Sequence, residues 1–270
     1  MALKSKNPIG IFDSGIGGLT VASAIHKMMP HEDIIYYGDT AHFPYGDKSS
    51  ELIQEFSLQI ADYMLSRGCK MIVIACNTAS AHAFKAVKKH VGSSVHVVNV
   101  IDPAAEMIAK RFSSGKIGVI GTRGTIESGI YPRKIKKNNP ELLVTSQATP
   151  LLAPMIEEGY FNNKISRTII HSYLEKKSFS GIKAIILACT HYPLIKKEID
   201  DYFKGKVDVV DSAEVVAAEI KHLLLEQKLL SGKNKQGKLE FYISDVSEAF
   251  LKSAGIFFSG KIKFKKKSFS

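Results

Sequence analysis

The chain has 270 residues, 45% hydrophobic and 23% charged, proportions typical of a globular protein long enough for one large or two medium domains. No apolar run approaches the roughly 20 residues that a membrane helix needs, and the N-terminal MALKSKNP lacks a signal-peptide core, so we expect a cytoplasmic protein without a membrane partner. Three cysteines in a chain without an export signal predict free thiols.

The formal net charge of +11 is concentrated near the end of the chain, where residues 221–270 carry eleven lysines against four acidic residues. The final KIKFKKKSFS alternates lysine with Ile262 and Phe264, which predicts an edge strand whose lysines discourage pairing with other chains. A polyanion-binding arm is the alternative. Because the excess charge is local, nucleic acid is not the expected partner.

The first half of the chain alternates predicted strands with predicted helices. Its strands are expected at residues 9–12, 33–37, 71–74 and 95–100, and its helices at residues 19–29, 50–67 and 79–90. The strands are short apolar runs, typical of parallel strands covered by helices on both faces.

The first strand ends in Asp13 and Ser14, followed by a glycine-rich turn, Gly15-Ile16-Gly17-Gly18. Glycines allow a ligand to approach the backbone amides closely. The run does not match the dinucleotide or phosphate-loop patterns, and Asp13 would repel a phosphate, so nucleotide binding is not favoured. A carboxylate here suits proton handling or amine binding.

The second strand leads into GDTAHFPYGDKS, a loop by composition. Its potential ligand contacts are His42 and Tyr45, with the Gly46 backbone beside them. A purely structural turn capped by Asp39 and Thr40 is the alternative.

The third strand belongs to MIVIACNTAS, which places Cys76 at the carboxyl end of a buried strand, where open α/β sheets bind ligands. Asn77 and Thr78 follow, and a helix then begins. The free amides of that helix would favour the thiolate of Cys76. Cys69 has no polar neighbour in the sequence and is interpreted as packing.

The second half continues the same alternation. Strands are expected at residues 116–120, 142–146, 184–188, 207–210 and 239–244, and helices at residues 128–138, 163–176 and 213–230, with a linker at residues 231–237. Between them lies APMIEEGYF, in which the spacing alone favours a solvated surface for Glu157 and Glu158.

Two segments of the first half recur in the second. AIILACTHYPL repeats the apolar run and the Ala-Cys step 113 residues later, at Cys189, with Thr190 and His191 after it. IGIFDSGIGGLT aligns on IGVIGTRGTIES at an offset of 108, which sets Thr122 opposite Ser14. Any two α/β units share some likeness at strand ends, but two pairs in the same order favour an internal repeat.

The repeat predicts an α/β protein of two similar domains, each a mostly parallel sheet flanked by helices, with the active site in the cleft between them. The first domain would comprise residues 1–98 plus 211–270, as a returning C-terminal segment, and the second residues 99–210.

Two thiols on opposite walls of a cleft suit the inversion of a stereocentre that bears a hydrogen. One removes the proton from one face, and the other returns a proton to the opposite face. Asp13 is the expected partner of Cys76, and His191 that of Cys189. The substrate carboxylate would be held by amides and hydroxyls of Ser14, Asn77, Thr78, Thr190 and the Tyr45-Gly46 backbone.

From the residues alone, three other interpretations remain open. Cys189 and His191 could form a thiol nucleophile, although residues two apart rarely pair productively and Cys76 would have no task. The chain could also be a non-catalytic α/β ligand-binding protein or bind nucleic acid. A metal site is not expected, because no C-x-x-C or H-E-x-x-H spacing is present.

Several motifs also carry a family resemblance, in the order IGIFDSGIGGLTV, YYGDTAHFPYG, IACNTASA, GVIGTRGTIES, APMIEEG and LACTHYPL. Together they resemble glutamate racemases, the cofactor-independent enzymes that make D-glutamate for bacterial peptidoglycan. An aspartate or broad amino-acid racemase of the same superfamily is the alternative.

The resemblance implies Cys76 and Cys189 as the two proton donors and acceptors, with no pyridoxal phosphate. It implies catalytic roles for Asp13, His191 and Glu157, the last near the second thiol. The implied substrate contacts are Asp13, Ser14, Tyr45, Gly46, Asn77, Thr78, Thr122, Thr190 and His191. It further implies glutamate as the substrate, two α/β domains around a cleft, and a homodimer.

Overall fold

A computed structural model of the chain describes residues 4–93, 95–246, 254–258 and 262–269. Its strands, in chain order, are Ile9–Asp13 (β1), Ile34–Gly38 (β2), Met71–Ile74 (β3), His96–Asn99 (β4), Gly115–Gly121 (β5), Leu142–Ala148 (β6), Ile182–Ala188 (β7), Asp208–Val210 (β8), Leu239–Ile243 (β9) and Phe264–Lys266 (β10).

The α-helices, in the same order, are Leu19–Met28 (α1), Ser50–Ser66 (α2), Asn77–His82 (α3), Phe84–Val91 (α4), Ile101–Arg111 (α5), Arg123–Glu127 (α6), Ile130–Asn138 (α7), Leu152–Glu157 (α8), Lys164–Leu174 (α9), Lys196–Phe203 (α10) and Ala213–Glu226 (α11). Short 3-10 turns lie at Thr40–His42, Tyr45–Asp47, Lys177–Phe179 and Tyr192–Ile195.

The strands form two sheets, a six-stranded one in the order β10-β9-β2-β1-β3-β4 and a four-stranded one in the order β6-β5-β7-β8. Within the described residues, all neighbouring strands run parallel. The order β2-β1-β3-β4 recurs as β6-β5-β7-β8, so β3 and β7 hold equivalent places. The predicted class, two similar α/β units with parallel sheets, is confirmed.

The central strands form because their residues can all be buried. β1 and β3 are buried at every position, as expected of β-branched and apolar runs between two helical layers. Helix α2 starts where the Ser49 hydroxyl accepts the Leu52 amide hydrogen at 3.4 Å, and it turns Ile53, Ile60 and Met64 inward. Parallel strands packed in this way bring their carboxyl ends to one edge of each sheet.

The two units share a hydrophobic core. One cluster of buried side chains contains Ile9 and Val73 from the first sheet together with Ile117 and Ile185 from the second. β9 and β10 join the edge of the first sheet, and α11 packs against α1. The domain boundaries after residues 98 and 210 remain a prediction.

The structure differs from the expected elements where local contacts intervene. The helix expected over residues 79–90 is divided at Ala83 into α3 and α4, where the His82 carbonyl accepts from Gln54 Nε2 at 3.1 Å. Helix α5, which includes Pro103, was not among the expected elements. Asn99 Oδ1 accepts the amide hydrogens of Ile101 and Asp102, both at 2.9 Å, and proline is tolerated in a first helical turn, whose amides have no partner within the helix.

The basic C-terminal segment forms the predicted edge strand over Phe264–Lys266, where β10 pairs with β9. Lys261 and Ser270, the ends of that segment, lie outside the described residues. In the part of the chain that the structure describes, no helix is both long and apolar enough to cross a bilayer.

Candidate active site

Both repeated cysteines line a single cavity between the two sheets. About 310 Å³ in the cavity and at its opening to solvent is not filled by protein atoms. Its lining combines predicted site residues with four that were not predicted: Ser14, Phe43, Pro44, Tyr45, Gly46, Cys76, Asn77, Thr78, Thr122, Ala153, Ala188, Cys189, Thr190 and His191. The predicted residues Asp13 and Glu157 lie behind this lining, in contact with Thr190 and His191 respectively.

Cys76 lies just beyond the end of β3, and its side chain caps helix α3. Its sulfur accepts the Ala79 amide hydrogen at 3.4 Å and donates to Ser14 Oγ at 3.6 Å. The thiol is only 5% exposed. The sequence therefore placed this residue correctly at a strand end facing a helix N-terminus.

The helix amide favours the thiolate of Cys76, as expected, but it does not decide the pKa of this thiol. Burial, and to a smaller extent the charge of Asp13, raise the pKa of the Cys76 thiol to about 12. The hydrogen bonds from Ala79 and to Ser14 act in the opposite direction but are weaker. Desolvation of the sulfur outweighs the helix amide, so Cys76 is a thiol near neutral pH.

Cys189 lies in the turn after β7, at the place equivalent to Cys76. Its sulfur lies 3.7 Å from His191 Nδ1, and His191 Nε2 lies 2.7 Å from Glu157 Oε1. The three side chains thus form a row of contacts that runs from the cavity toward α8. His191 lies beside Cys189, the thiol it was expected to partner, although the two are only two residues apart. Glu157 faces His191, as the resemblance implies, and not solvent, as the spacing alone favoured; its side chain is 10% exposed.

The imidazole of His191 is enclosed, and its partners determine its charge. Burial by itself would lower the pKa of His191, but the contacts with Cys189 and Glu157 together raise that pKa well above its ordinary value. The rings of Phe43 and Phe257 lie 5.7 Å and 5.4 Å from the imidazole ring. This rise in pKa favours the imidazolium form of His191 beside the Cys189 sulfur, at a position where the His191 side chain is only 2% exposed.

Asp13, fully buried at the end of β1, contacts both walls of the cleft. Its carboxylate accepts from the Gly15 amide at 3.0 Å and from the Thr190 hydroxyl at 3.3 Å. Burial raises the pKa of Asp13, while the charge of His191 and the hydrogen bonds to the carboxylate act against the increase. On Cys76, its expected partner, Asp13 acts through charge.

Hydroxyl groups join the two halves beside Cys76. Thr78 Oγ1 lies 2.8 Å from Thr122 Oγ1 and 3.2 Å from Thr125 Oγ1, and Asn77 Oδ1 accepts from the Tyr131 hydroxyl at 2.7 Å. Thr125 was not predicted, although it stands three residues after Thr122 on a helical turn. The contacts hold Asn77 and Thr78 in position at the cavity wall.

The loop after β2 contributes Phe43, Pro44, Tyr45 and Gly46 to the cavity. His42, a potential ligand contact in the sequence, instead stacks on Phe56 with ring centroids 3.9 Å apart. None of the four unpredicted lining residues was named from the sequence, but all of them lie in motifs already singled out: Phe43 and Pro44 in GDTAHFPYG, Ala153 in APMIEEG and Ala188 in LACTHYPL.

The third cysteine has the structural role expected of it. Cys69 is 1% exposed, and its sulfur lies 3.9 Å from the Met64 sulfur. Among the described residues, no group of three or more His, Cys, Asp or Glu side chains is arranged to hold a metal ion.

The class of protein follows from a family comparison. Residues 19–220 match the family model for Asp/Glu/Hydantoin racemase, and the chain therefore belongs to this family of amino-acid racemases.

Comparison with individual proteins shows which enzymes of this family the chain resembles. The chain is 43% identical over 254 residues to glutamate racemase of Geobacter metallireducens, covering 94% of this chain and 93% of that one. Its fold matches the crystal structure of glutamate racemase from Francisella tularensis in complex with D-glutamate, with a TM-score of 0.92, 35% identity and 98% of each chain covered. Glutamate racemase from Thermus thermophilus in complex with beta-chloro-D-alanine gives a TM-score of 0.87 at 35% identity, with 98% of each chain covered. The resemblance to glutamate racemases drawn from the motifs is confirmed.

Proposed function

We propose that this protein interconverts L- and D-glutamate by moving a proton between two cysteine thiols, without a cofactor. The observation that carries the proposal is that Cys76 and Cys189 follow equivalent strands and line one cavity. A substrate carbon between them would be open to one sulfur on each face.

The proposed reaction conserves protons. A thiolate on one wall takes the hydrogen from Cα, and the electron pair spreads into the substrate carboxylate. The thiol on the other wall gives its proton to the opposite face of Cα. The first sulfur is left as a thiol and the second as a thiolate, so the reverse direction exchanges their roles and solvent protons restore the starting state.

The groups that set the protonation state of the two thiols differ. On the Cys189 wall, the imidazolium of His191, itself held by Glu157, would donate its Nδ1 hydrogen to a thiolate. On the Cys76 wall, burial keeps the sulfur protonated, with its pKa about 12. We propose that Cys76 is the thiol at rest and that Asp13 tunes the site through its charge and its bond to Thr190.

Polar groups around the cavity would hold the substrate. The developing negative charge on a carboxylate is best stabilised by fixed amides and hydroxyls in a site that excludes water. The proposed contacts are Asp13, Ser14, Tyr45, Gly46, Asn77, Thr78, Thr122, Thr190 and His191.

Glutamate is the proposed substrate because the relatives named above, which match nearly the whole chain, are glutamate racemases. By the same resemblance we propose that the protein is a cytoplasmic homodimer of two-domain subunits, divided at residues 1–98 plus 211–270 and 99–210. Its product would supply D-glutamate for peptidoglycan.

The decisive experiment follows purified protein with L-glutamate in deuterated water, without added cofactor. We expect optical rotation to fall to zero and deuterium to enter at Cα. Unchanged rotation together with no label at Cα would contradict the proposal.

The contact between Cys189 and His191, with Glu157 behind, also favours a second candidate, a thiol nucleophile that cleaves an acyl bond. Such an enzyme would release a cleavage product and would keep its activity in Cys76→Ser. The racemase proposal expects that variant to be inactive.

A further inference from the structure

The cavity loop, defined here as residues 39–46, is attached to the segment that follows β9. Thr40 Oγ1 donates to the Asp245 carbonyl at 2.5 Å and accepts the Asp245 amide hydrogen at 2.9 Å. The Ala41 amide donates to Ser244 Oγ at 2.8 Å. The outer end of the loop is therefore held by three hydrogen bonds from residues about 200 positions away in the sequence.

These contacts are shielded from water, so losing one of them would leave a buried polar group without its hydrogen bond. Thr40 is 7% exposed and Ser244 is 5% exposed. Ser244 is itself fixed, because its amide donates to the Gly38 carbonyl at 3.0 Å, which extends the pairing of β9 with β2. The loop is thus anchored to the end of a strand that is paired on both sides.

The inner end of the loop is coupled to this anchor. The Asp39 carboxylate, 3% exposed, accepts from the Tyr45 hydroxyl at 2.6 Å and pairs with His42 Nδ1 at 2.9 Å. A displacement at the anchor would therefore be passed on to Tyr45 and Gly46, which line the cavity.

The loop also contacts the opposite half closely. A Cβ atom added at Gly46 would lie 2.7 Å from the Thr122 Cβ, and the Phe43 ring lies 5.7 Å from the His191 ring. Because the loop and the opposite half are packed this closely, a shift of the loop by a few tenths of an ångström would alter the cavity wall.

We propose that Thr40, Ser244 and Asp245 form a latch through which the C-terminal segment positions the cavity loop for substrate binding. Thr40 and Ser244 act through their side chains and Asp245 through its backbone. They are positioning residues, since none of them lines the cavity. The cysteines are held by β3 and β7, so loosening the latch should weaken substrate binding more than proton transfer.

The basic edge strand contacts the latch only at its surface. Lys266 Nζ lies 2.6 Å from Asp245 Oδ1, but both side chains are more than half exposed, so this ion pair contributes little. Lys266→Ala is therefore a matched control that removes a partner of Asp245 without touching its backbone contacts.

The test compares Thr40→Val, Thr40→Ser and Lys266→Ala in glutamate racemisation, and so rests on the proposed function. Valine keeps the shape of threonine but loses both hydrogen bonds, so we expect KM to rise about tenfold while kcat changes less than about twofold. Thr40→Ser and Lys266→Ala should match the wild type. An unchanged KM in Thr40→Val, or an equal effect in Lys266→Ala, would overturn the latch.

A second measurement needs no substrate and separates this inference from the assignment of the activity. In Ser244→Ala, hydrogen exchange of peptides spanning residues 39–46 should be faster than in the wild type, with the central strands unchanged. Identical exchange in this loop would refute the latch. If the wild-type protein does not act on glutamate, the proposed racemase activity is refuted. The exchange data then test the latch by themselves.

Discussion

The hydroxyl of Thr190 donates to the carboxylate of Asp13 at 3.3 Å, and this bond joins the end of β1 to the turn that carries the second cysteine. From the sequence, Asp13 was expected to partner the thiol of Cys76 and, by resemblance, to contact the substrate. Its charge raises the pKa of Cys76, while its hydrogen bond reaches the Cys189 turn. One buried carboxylate therefore influences both walls of the cavity.

Replacing either cavity cysteine by serine should abolish racemisation, with kcat reduced by at least about a hundredfold, because a hydroxyl is a far weaker acid than a thiol. Racemisation is measured from both L- and D-glutamate by circular dichroism. Cys69→Ala is the matched control and should retain its kcat, since Cys69 lies outside the cavity. Full activity in either serine variant would rule out the two-thiol mechanism.

Replacing Glu157 by glutamine should reduce kcat by about tenfold, the size of a lost hydrogen bond to a charged group. Glu157 raises the pKa of His191, so its removal lowers that pKa. The imidazolium is then lost at a lower pH, and the alkaline limb of the pH–rate profile should move toward neutrality. The exposed neighbour Glu158, changed to glutamine, should leave the profile in place. An identical profile in both variants would contradict the role given to Glu157.

Alkylation of Cys76 in the substrate-free protein should accelerate with pH well beyond the range of an ordinary thiol. Its pKa is about 12, so the reactive thiolate should still increase about tenfold per pH unit above pH 9. The rate is read by mass spectrometry of the Cys76 peptide.

Two comparisons make the alkylation measurement specific. In the urea-denatured protein the rate should level off near pH 9, as for a solvated thiol. In Asp13→Asn the folded-state curve should move to lower pH, because the negative charge that raises the pKa of Cys76 is gone. A plateau near pH 9 in the folded wild type would disprove the shift.

L-Glutamate should be preferred over L-aspartate by kcat/KM, because the motifs and relatives of this chain are those of glutamate enzymes. The shorter side chain would not reach the contacts that position the α-carbon between the sulfurs. Both substrates are measured in parallel by deuterium incorporation at Cα. Comparable values would indicate a racemase of broader specificity.

The sequence by itself determined the parallel α/β architecture and the two cysteines. Short runs rich in Ile and Val, such as MIVI, favour buried strands, and the repeated Ala-Cys step places Cys76 and Cys189 at strand ends. The glycine-rich turn after Asp13 and the Tyr45-Gly46 loop were recognisable because turn residues mark where backbone can meet a ligand. These features depend on local chemistry, which a sequence displays directly.

Only the tertiary structure decided which side chains meet and how strongly each is desolvated. Glu157 reaches His191 from 34 residues away, and Ser244 reaches Ala41 from 203 residues away, pairings that follow from how helices and strands pack. The pKa of Cys76 shows the physical reason. The helix amide that favours its thiolate is visible in the sequence, but the burial that overrides the amide is produced by the whole fold.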